Sequence, residues 1–241
     1  MIYEIAGLRV KIENRYDFTT KYCQEYLSED QTSTVDITAS VTDEEFAAEK
    51  ALSDEFSDGY IENICLYRSI CRQIPVLGRM LLHGAVLEYD GKAYAFLGRS
   101  GTGKSTHTDL WLRVFGDRAR IVNGDKPIFR LVGGQWHVFG TPWRGKEGLG
   151  GNISAPLKGI CFLERAKENE IAPLDDAAAV SRLFSQVLMP NDLIAAEKQL
   201  ELLDSLISKT PTYLLRCNML PEAAIVSHGA MSKGEIKSDT Q

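Results

Sequence analysis

The residues best suited to chemistry lie in Gly98–Ser105, which fits the pattern G-x-x-x-x-G-K-S/T at every fixed position. Glycines let a backbone turn tightly with its N–H groups pointing inward, and a following helix adds its positive N-terminal end, so the segment predicts binding of phosphate oxygens. Lys104 is expected to reach the β- and γ-phosphates of a nucleotide, and Ser105 to offer its hydroxyl to Mg²⁺. The predicted nucleotide-contacting residues of this segment are Gly98, Ser100, Gly101, Thr102, Gly103, Lys104, Ser105 and Thr106.

Phosphoryl transfer also needs a carboxylate that holds the metal and a group that orients the nucleophile. Asp125 directly follows a short apolar segment, where it could hold Mg²⁺ together with Ser105, although it could also be a simple turn residue ahead of Pro127. His83 could reach the phosphates or the acceptor, whereas a lone histidine on a strand is more often structural. The candidate catalytic residues are therefore Asp125, His83 and Lys104.

Residues 141–151 form a long, polar, glycine-rich stretch, and loops of this length are often functional. Its two cations, Arg144 and Lys146, are suited to clamping phosphates when such a loop closes, and two solvated charges are the alternative. Trp143 stacks on a base, packs a closed lid or packs in the core. His107, in the first turn after the glycine segment, is expected at the surface.

The elements around the glycine segment are readable from apolar periodicity. Residues 93–97 form an apolar run typical of a buried strand, and Leu110, Trp111, Val114 and Phe115 follow it at helical spacing, with Gly116 ending the helix. Asp90-Gly91 is a strong hairpin signal, so a strand over 81–89 is expected to pair antiparallel with the strand that leads into the glycine segment. This arrangement predicts a mixed sheet.

The first 76 residues predict a small α+β region, residues 77–231 the main domain, and residues 232–241 a disordered tail. Within the first region we expect a hairpin near Gly7, a strand over 35–41, a capped helix from Thr42 to about Phe56 and a helix from Tyr60 to about Ile74. The main domain adds strands over 119–123, 128–132, 136–140, 158–164 and 212–217, and helices over 177–188, after Asn191 and after Pro221.

Composition narrows the classes of function. The net charge of −6 argues against a non-specific nucleic-acid binder, which needs a basic surface. The sequence contains no apolar run of membrane-spanning length, and its start lacks the pattern of a signal peptide, which predicts a cytoplasmic protein. The five cysteines are odd in number and widely spread, which favours buried free thiols in a reducing compartment.

The chain resembles HPr kinase/phosphorylases in the order of three features: His83-Gly84, a hairpin, and the glycine segment Gly98–Ser105. In that family a His-Gly strand precedes the phosphate loop. The Gly-Thr-Gly-Lys-Ser-Thr core also resembles the ATP-dependent phosphoenolpyruvate carboxykinases. Residues 80–230 are similar, more closely still, to small bacterial HPr-kinase-like or carboxykinase-like proteins. The shared landmarks include Ser105-Thr106-His107-Thr108, Lys126-Pro127, Gly140-Thr141-Pro142-Trp143 and Arg216-Cys217.

This resemblance implies an α/β fold with a mixed-sheet P-loop domain of the HPr kinase/phosphoenolpyruvate carboxykinase type. It also implies an ATP- and Mg²⁺-dependent kinase that acts on a serine or threonine hydroxyl of a protein or peptide, and that assembles as a homo-oligomer. GTP and pyrophosphate remain alternative donors.

One position departs from the family's pattern. Asp125 matches the second of two adjacent aspartates, and Gly124 stands at the first. In the family that pair serves metal binding and activation of the acceptor, and loss of a general base typically costs 10²–10⁴-fold in rate. Either Asp125 does both jobs, or the enzyme is slow, or the chain is a catalytically degenerate nucleotide-binding regulatory or scaffold protein.

Overall fold

The computed structural model of the protein describes residues 1–234, which form an α/β structure with two sheets. The strands are β1 (Ile2–Ile5), β2 (Leu8–Ile12), β3 (Ile37–Ala39), β4 (Arg79–Leu81), β5 (Gly84–Tyr89), β6 (Lys92–Leu97), β7 (Ala119–Asn123), β8 (Ile128–Val132), β9 (Gln135–Phe139), β10 (Ser154–Arg165), β11 (Glu170–Pro173) and β12 (Thr212–Cys217). The helices are α1 (Asp17–Tyr22), α2 (Asp43–Lys50), α3 (Asp58–Gln73), α4 (Lys104–Phe115), α5 (Asp176–Phe184), α6 (Leu193–Lys209) and α7 (Glu222–Met231). Most of the tail predicted over 232–241 lies outside the described residues.

The N-terminal sheet has three strands in the order β1-β2-β3. The predicted hairpin near Gly7 is confirmed: Ala6 and Gly7 both have positive φ, at 51° and 70°, and β1 pairs antiparallel with β2. The capping box at the start of α2 is also confirmed, since Thr42 Oγ1 accepts from the Glu45 N–H and the Glu45 carboxylate accepts from the Thr42 N–H.

Helix α2 ends at Lys50, short of the predicted Phe56. None of its residues is fully buried, so no apolar face holds further turns against the core. Helix α3 then begins at Asp58, two residues before the predicted start, because the Ser57 hydroxyl accepts from the Tyr60 N–H and caps it.

The large sheet has nine strands, seven of them in the order β4-β8-β9-β10-β6-β5-β7. Strand β10 pairs parallel with β6. Its first residues also pair antiparallel with β9, and its last residues pair parallel with β12. The predicted Asp90-Gly91 hairpin is confirmed by φ values of 48° and 75° and by antiparallel pairing of β5 with β6. The sheet is therefore mixed, as predicted.

The single strand predicted over 81–89 is divided in the structure. β4 pairs with β8, and β5 pairs with β6 and β7. Between them the His83 N–H donates to the Gln186 carbonyl at 2.8 Å and the Gly84 N–H to the Asp125 carbonyl at 3.0 Å, so the chain leaves one part of the sheet and enters another. A Cβ at Gly84 would lie 2.2 Å from the Leu97 side chain, which explains the glycine at this crossing.

Helices cover both faces of the large sheet. One apolar core contains residues of α5 and α6, such as Leu183 and Leu206, and the other contains residues of α4 and α7, such as Trp111 and Ala224. A third core combines the N-terminal sheet and α3 with Leu81, Ile128 and Trp143. Apolar contacts therefore cross the predicted boundary at residue 76, and the division into domains stays a prediction.

Three elements of the last third differ from the prediction. β10 extends four residues before the predicted start at Lys158, β11 was not expected, and α5 ends at Phe184, before the predicted Leu188. Short exposed strands such as β11 carry little apolar periodicity, so they leave a weak signal.

The five cysteines are free thiols, as predicted, and Cys23, Cys65, Cys71 and Cys161 are buried. None of the described helices combines the length and the apolar character needed to cross a bilayer.

His107 is buried, so its expected place at the surface was wrong. It lies in the first turn of α4, where its Nε2 is 3.0 Å from Ser227 Oγ of α7 and 3.2 Å from Trp111 Nε1. Burial lowers the pKa of the imidazole to about 4. The ring is therefore neutral at pH 7 and serves the packing of α4 on α7.

We expect this histidine to make the protein sensitive to acid. Below the ordinary pKa of 6.5 the unfolded chain binds a proton at His107 that the folded chain binds only near pH 4, so stability falls as pH falls through that window. The loss amounts to about 3 kcal/mol by pH 4. Urea unfolding of the native protein and of His107→Gln at pH 7 and pH 4 measures it.

Between pH 7 and pH 4, the free energy of unfolding of the His107→Gln protein should fall by about 3 kcal/mol less than that of the native protein. His137→Gln is the matched control, since His137 is only partly buried and its removal should change the pH dependence far less. Equal pH dependence in the native and His107→Gln proteins would contradict the prediction.

Candidate active site

A cleft of about 780 Å³ lies beside the glycine segment. Most of the residues singled out from the sequence border it: His83, Ser100, Gly101, Gly103, Lys104, Ser105, Thr106, Asp125 and Lys146. Gly98 and Thr102 instead border a second cavity of about 400 Å³, where the Thr102 hydroxyl donates to the Arg99 carbonyl at 2.9 Å. Arg144 borders neither cavity.

The glycine segment joins β6 to α4 through a loop over 98–103. Gly101 and Gly103 have φ values of 78° and 105°, which side-chain-bearing residues rarely adopt. Helix α4 starts at Lys104, and no side chain caps its N-terminus. The first N–H groups of a helix have no partner within it, so α4 presents donors and a positive dipole end at the cleft. Phosphate or another anion fits this end.

Lys104 curls back over the loop. Its ammonium donates to the Gly98 carbonyl at 2.9 Å and to the Arg99 carbonyl at 3.4 Å, and the residue is only 8% exposed. Burial lowers the pKa of this lysine, while the charge of Asp125 opposes that shift. Because this ammonium is poorly solvated and contacts only two carbonyls, an anion would stabilise it strongly, so Lys104 is suited to binding phosphate oxygens.

Asp125 lies in a tight turn that a buried neighbour builds. The side-chain oxygen of Asn123 accepts from the N–H groups of Asp125 and Lys126 at 2.9 and 2.7 Å. The amide nitrogen of Asn123 donates to the carbonyl and hydroxyl of Thr141, and the Thr141 hydroxyl donates to the Lys126 carbonyl at 2.7 Å. Asn123 therefore orients Asp125, and its signal in the sequence is an asparagine two residues ahead, typical of an Asx turn.

Two cationic or hydrogen-bonding groups meet the Asp125 carboxylate. His83 Nε2 lies 3.1 Å and Lys126 Nζ 3.2 Å from Asp125 Oδ1. Burial alone would raise the pKa of Asp125, but the hydrogen bond from His83 and the charge of Lys126 outweigh it and lower the pKa. The carboxylate therefore stays ionised at neutral pH, as a metal ligand or a proton acceptor must.

His83 is held at the crossing between β4 and β5. In the amide orientation that satisfies its neighbours, the Gln186 side chain donates to the carbonyls of His83 and Gly98, each at 3.1 Å. Gln186 is 5% exposed and ties the backbone beside His83 to the backbone of the glycine loop. The sequence did not indicate this residue, because a glutamine after a helix carries no motif.

The two loop cations have different surroundings. The Arg144 guanidinium forms an ion pair with Glu25 and lies over the Tyr26 ring, 5.9 Å from its centroid, so it points to the N-terminal region. Lys146 is exposed at the border of the cleft. Of the two, only Lys146 is placed to approach a ligand there. Trp143 is 4% exposed, packs in the third core and also borders the cleft.

Gly124 lies directly under the loop over 141–151. Its N–H donates to the Leu149 carbonyl at 3.0 Å, and an added Cβ would lie 3.0 Å from the Arg144 carbonyl and 3.3 Å from that of Leu149. These distances are tight for a Cβ, so the loop backbone occupies the space that a side chain would need.

Arg165 also borders the cleft, and its guanidinium donates to the Gly101 carbonyl. It stands at the end of β10, beside the glycine loop on the sheet, and the sequence did not indicate it as a site residue. Within residues 1–234 there is no group of three or more His, Cys, Asp or Glu side chains that could hold a metal by itself.

Comparison with protein families identifies the family of this chain. The family model described as "SynChlorMet cassette protein ScmC" matches residues 59–221, more than half of the chain. No curated protein matches the sequence significantly. Among solved structures, the HPr(Ser) kinase/phosphatase from Coxiella burnetii is similar over 64% of this chain and 99% of that chain, at 15% identity and a TM-score of 0.37. The matching family is a different one from the HPr kinases that the sequence resembles.

Proposed function

The chain belongs to the ScmC family. We propose, from its site, that it is a kinase that transfers the γ-phosphate of ATP, with Mg²⁺, to a serine or threonine hydroxyl of a protein or peptide. One observation carries the proposal. The uncapped N-terminus of α4, the buried Lys104 and the ionised Asp125 with its partner His83 border a single cleft.

The binding half of the proposal rests on the glycine loop. The N–H groups at the start of α4 would take the β-phosphate oxygens, and Lys104 would exchange its two carbonyl contacts for phosphate oxygens. Ser105 and Asp125 would hold Mg²⁺, because both offer the oxygen atoms that this ion prefers and both border the cleft. When bound, Mg²⁺ would neutralise negative charge on the phosphates.

The transfer half rests on Asp125. Both His83 and Lys126 contact Oδ1, so among the described residues nothing competes for Oδ2. In the proposed step the acceptor oxygen forms a bond to the γ-phosphorus, the bond from that phosphorus to the leaving ADP oxygen breaks, and the acceptor proton passes to Asp125 Oδ2. His83 and Lys126 position the carboxylate, and Lys104 stabilises the charge on the transferred group.

A second candidate, a nucleotide-binding regulatory protein without transfer, is favoured by Gly124. The loop backbone lies where a second carboxylate would need space, so Asp125 acts without a neighbour. The test is transfer of radiolabelled γ-phosphate from Mg²⁺-ATP to serine peptides, beside calorimetric binding of a non-hydrolysable ATP analogue. Binding with transfer supports the kinase. Binding without transfer supports the regulatory protein, and absence of binding rejects both.

A further inference from the structure

The cleft has two chemically different halves. Around the glycine loop it is bordered by the cations Lys104, Lys126, Lys146 and Arg165. The other half comes mainly from the N-terminal region and is uncharged. Its residues are Tyr22, Tyr60, Asn63, Ile64, Tyr67 and Trp143. The charged half suits a nucleoside polyphosphate, and the second half, called here the tyrosine wall, suits an uncharged group with a large apolar surface.

Asp125 lies between the two halves. Burial raises the pKa of Tyr22 and Tyr67, and the negative charge of Asp125 adds to both shifts. The same carboxylate acts on Lys104 on the other side. Asp125 therefore lies near both the glycine loop and the tyrosine wall, and all three border one cleft.

The loop over 141–151 contacts both the tyrosine wall and Asp125. Trp143 donates from Nε1 to Asn63 Oδ1 of α3 at 3.2 Å, and its ring lies 6.0 Å from that of Tyr67. Two residues later, a Cβ at Gly145 would lie 3.0 Å from the Asp125 Cβ. The same loop thus packs on the tyrosine wall and on the candidate catalytic carboxylate.

We propose that the tyrosine wall binds the acceptor, and that the acceptor is a peptide or protein segment with an aromatic side chain next to its serine or threonine. This inference rests on the proposed kinase function. The attacking and leaving oxygens of a phosphoryl transfer lie roughly in line, so the acceptor approaches from the side of the γ-phosphate opposite ADP. The loop over 141–151 contacts both Asp125 and the wall, so an acceptor that gives its proton to Asp125 lies next to the wall.

The chemistry of the wall selects the neighbouring residue. Tyrosine rings pair favourably with another aromatic ring, whereas a charged side chain loses solvation against them, and Lys126, the cation nearest Asp125, is already paired with that carboxylate. We therefore expect an aromatic neighbour to bind on the order of 10-fold more tightly than glycine, and an acidic neighbour more weakly than glycine.

Three synthetic peptides test the proposal on the native protein, each with one serine preceded by phenylalanine, glycine or aspartate. Calorimetry in the presence of Mg²⁺ and a non-hydrolysable ATP analogue gives their Kd values without requiring turnover. Tyr67→Ala should bring the phenylalanine and glycine peptides within about 2-fold of each other. The matched variant Tyr67→Phe keeps the ring and should keep the preference. Ile64→Lys should favour the aspartate peptide.

Equal Kd values for the three peptides, or no measurable binding of any, would overturn the proposal, even if no variant folded. A Tyr67→Ala protein that binds the ATP analogue about 10-fold more weakly with an unchanged peptide preference would also overturn it, because the wall would then hold the nucleoside. Failure of the kinase function is distinguishable. In that case the phenylalanine preference persists in binding, while no radiolabel reaches the peptide from Mg²⁺-ATP.

Discussion

The Asp125→Asn protein is expected to transfer phosphate about 10²–10⁴-fold more slowly than the native protein. The amide keeps the shape of the carboxylate but accepts no proton and binds Mg²⁺ poorly. Because His83 and Lys126 lower the pKa of Asp125, the native carboxylate stays ionised through the neutral range, so the native rate should show no loss from its protonation between pH 5 and pH 8. Initial rates with radiolabelled Mg²⁺-ATP and a serine peptide measure both effects.

Asp117→Asn is the matched control for this change. It makes the same aspartate-to-asparagine replacement in the exposed turn after α4, and Asp117 borders neither cavity. Its rate should stay within about 2-fold of the native rate. An Asp125→Asn protein with a rate as high as the control would remove Asp125 from the mechanism.

The Lys104→Met protein is expected to bind the ATP analogue about 10–100-fold more weakly, the loss of a charged hydrogen-bonding group. The change should not destabilise the fold. Burial lowers the pKa of Lys104, which means that desolvation of the ammonium destabilises the folded protein. An apolar side chain of similar length removes this desolvation penalty. Calorimetry of analogue binding and thermal unfolding measure the two expectations separately.

Lys92→Met provides the comparison for this lysine. Lys92 is exposed at the start of β6, the strand that leads to the glycine loop, so its replacement tests loss of a lysine charge outside the cleft. Its affinity for the analogue should equal the native value. Tight binding by Lys104→Met would show that the glycine loop holds no phosphate next to this residue.

Local signals predicted much of the fold. The Ala6-Gly7 and Asp90-Gly91 turns, the capping box at Thr42 and the strand-loop-helix around Lys104 each depend on neighbours within a few residues. Asp125 and His83 could each be predicted as site residues from their own neighbours in the sequence. Their contact could not be predicted, because it depends on the crossing between β4 and β5, where backbone bonds to Gln186 and Asp125 divide an apolar run that reads as one strand.

The surroundings of several other residues could not be predicted, because their partners are distant in the sequence. Arg144 resembles a phosphate clamp by its loop, yet Glu25 pairs with it across 119 positions. His107 resembles a surface residue until Ser227 covers it from α7. Tyr60, Ile64 and Tyr67 repeat at helical spacing, and such a stripe usually indicates a core-facing side of a helix. Only the packing of the N-terminal region on the cleft makes that stripe a wall of the site.

The close packing at Gly124 links two parts of the sequence that would otherwise vary independently. A side chain at position 124 requires the backbone near Arg144 and Leu149 to shift, and that loop also carries Trp143, which is anchored on α3. A single substitution to aspartate therefore meets a steric penalty before it can contribute a carboxylate. In evolutionary terms the glycine and the loop are epistatic: the effect of a side chain at position 124 depends on how far the sequence of the loop lets its backbone shift.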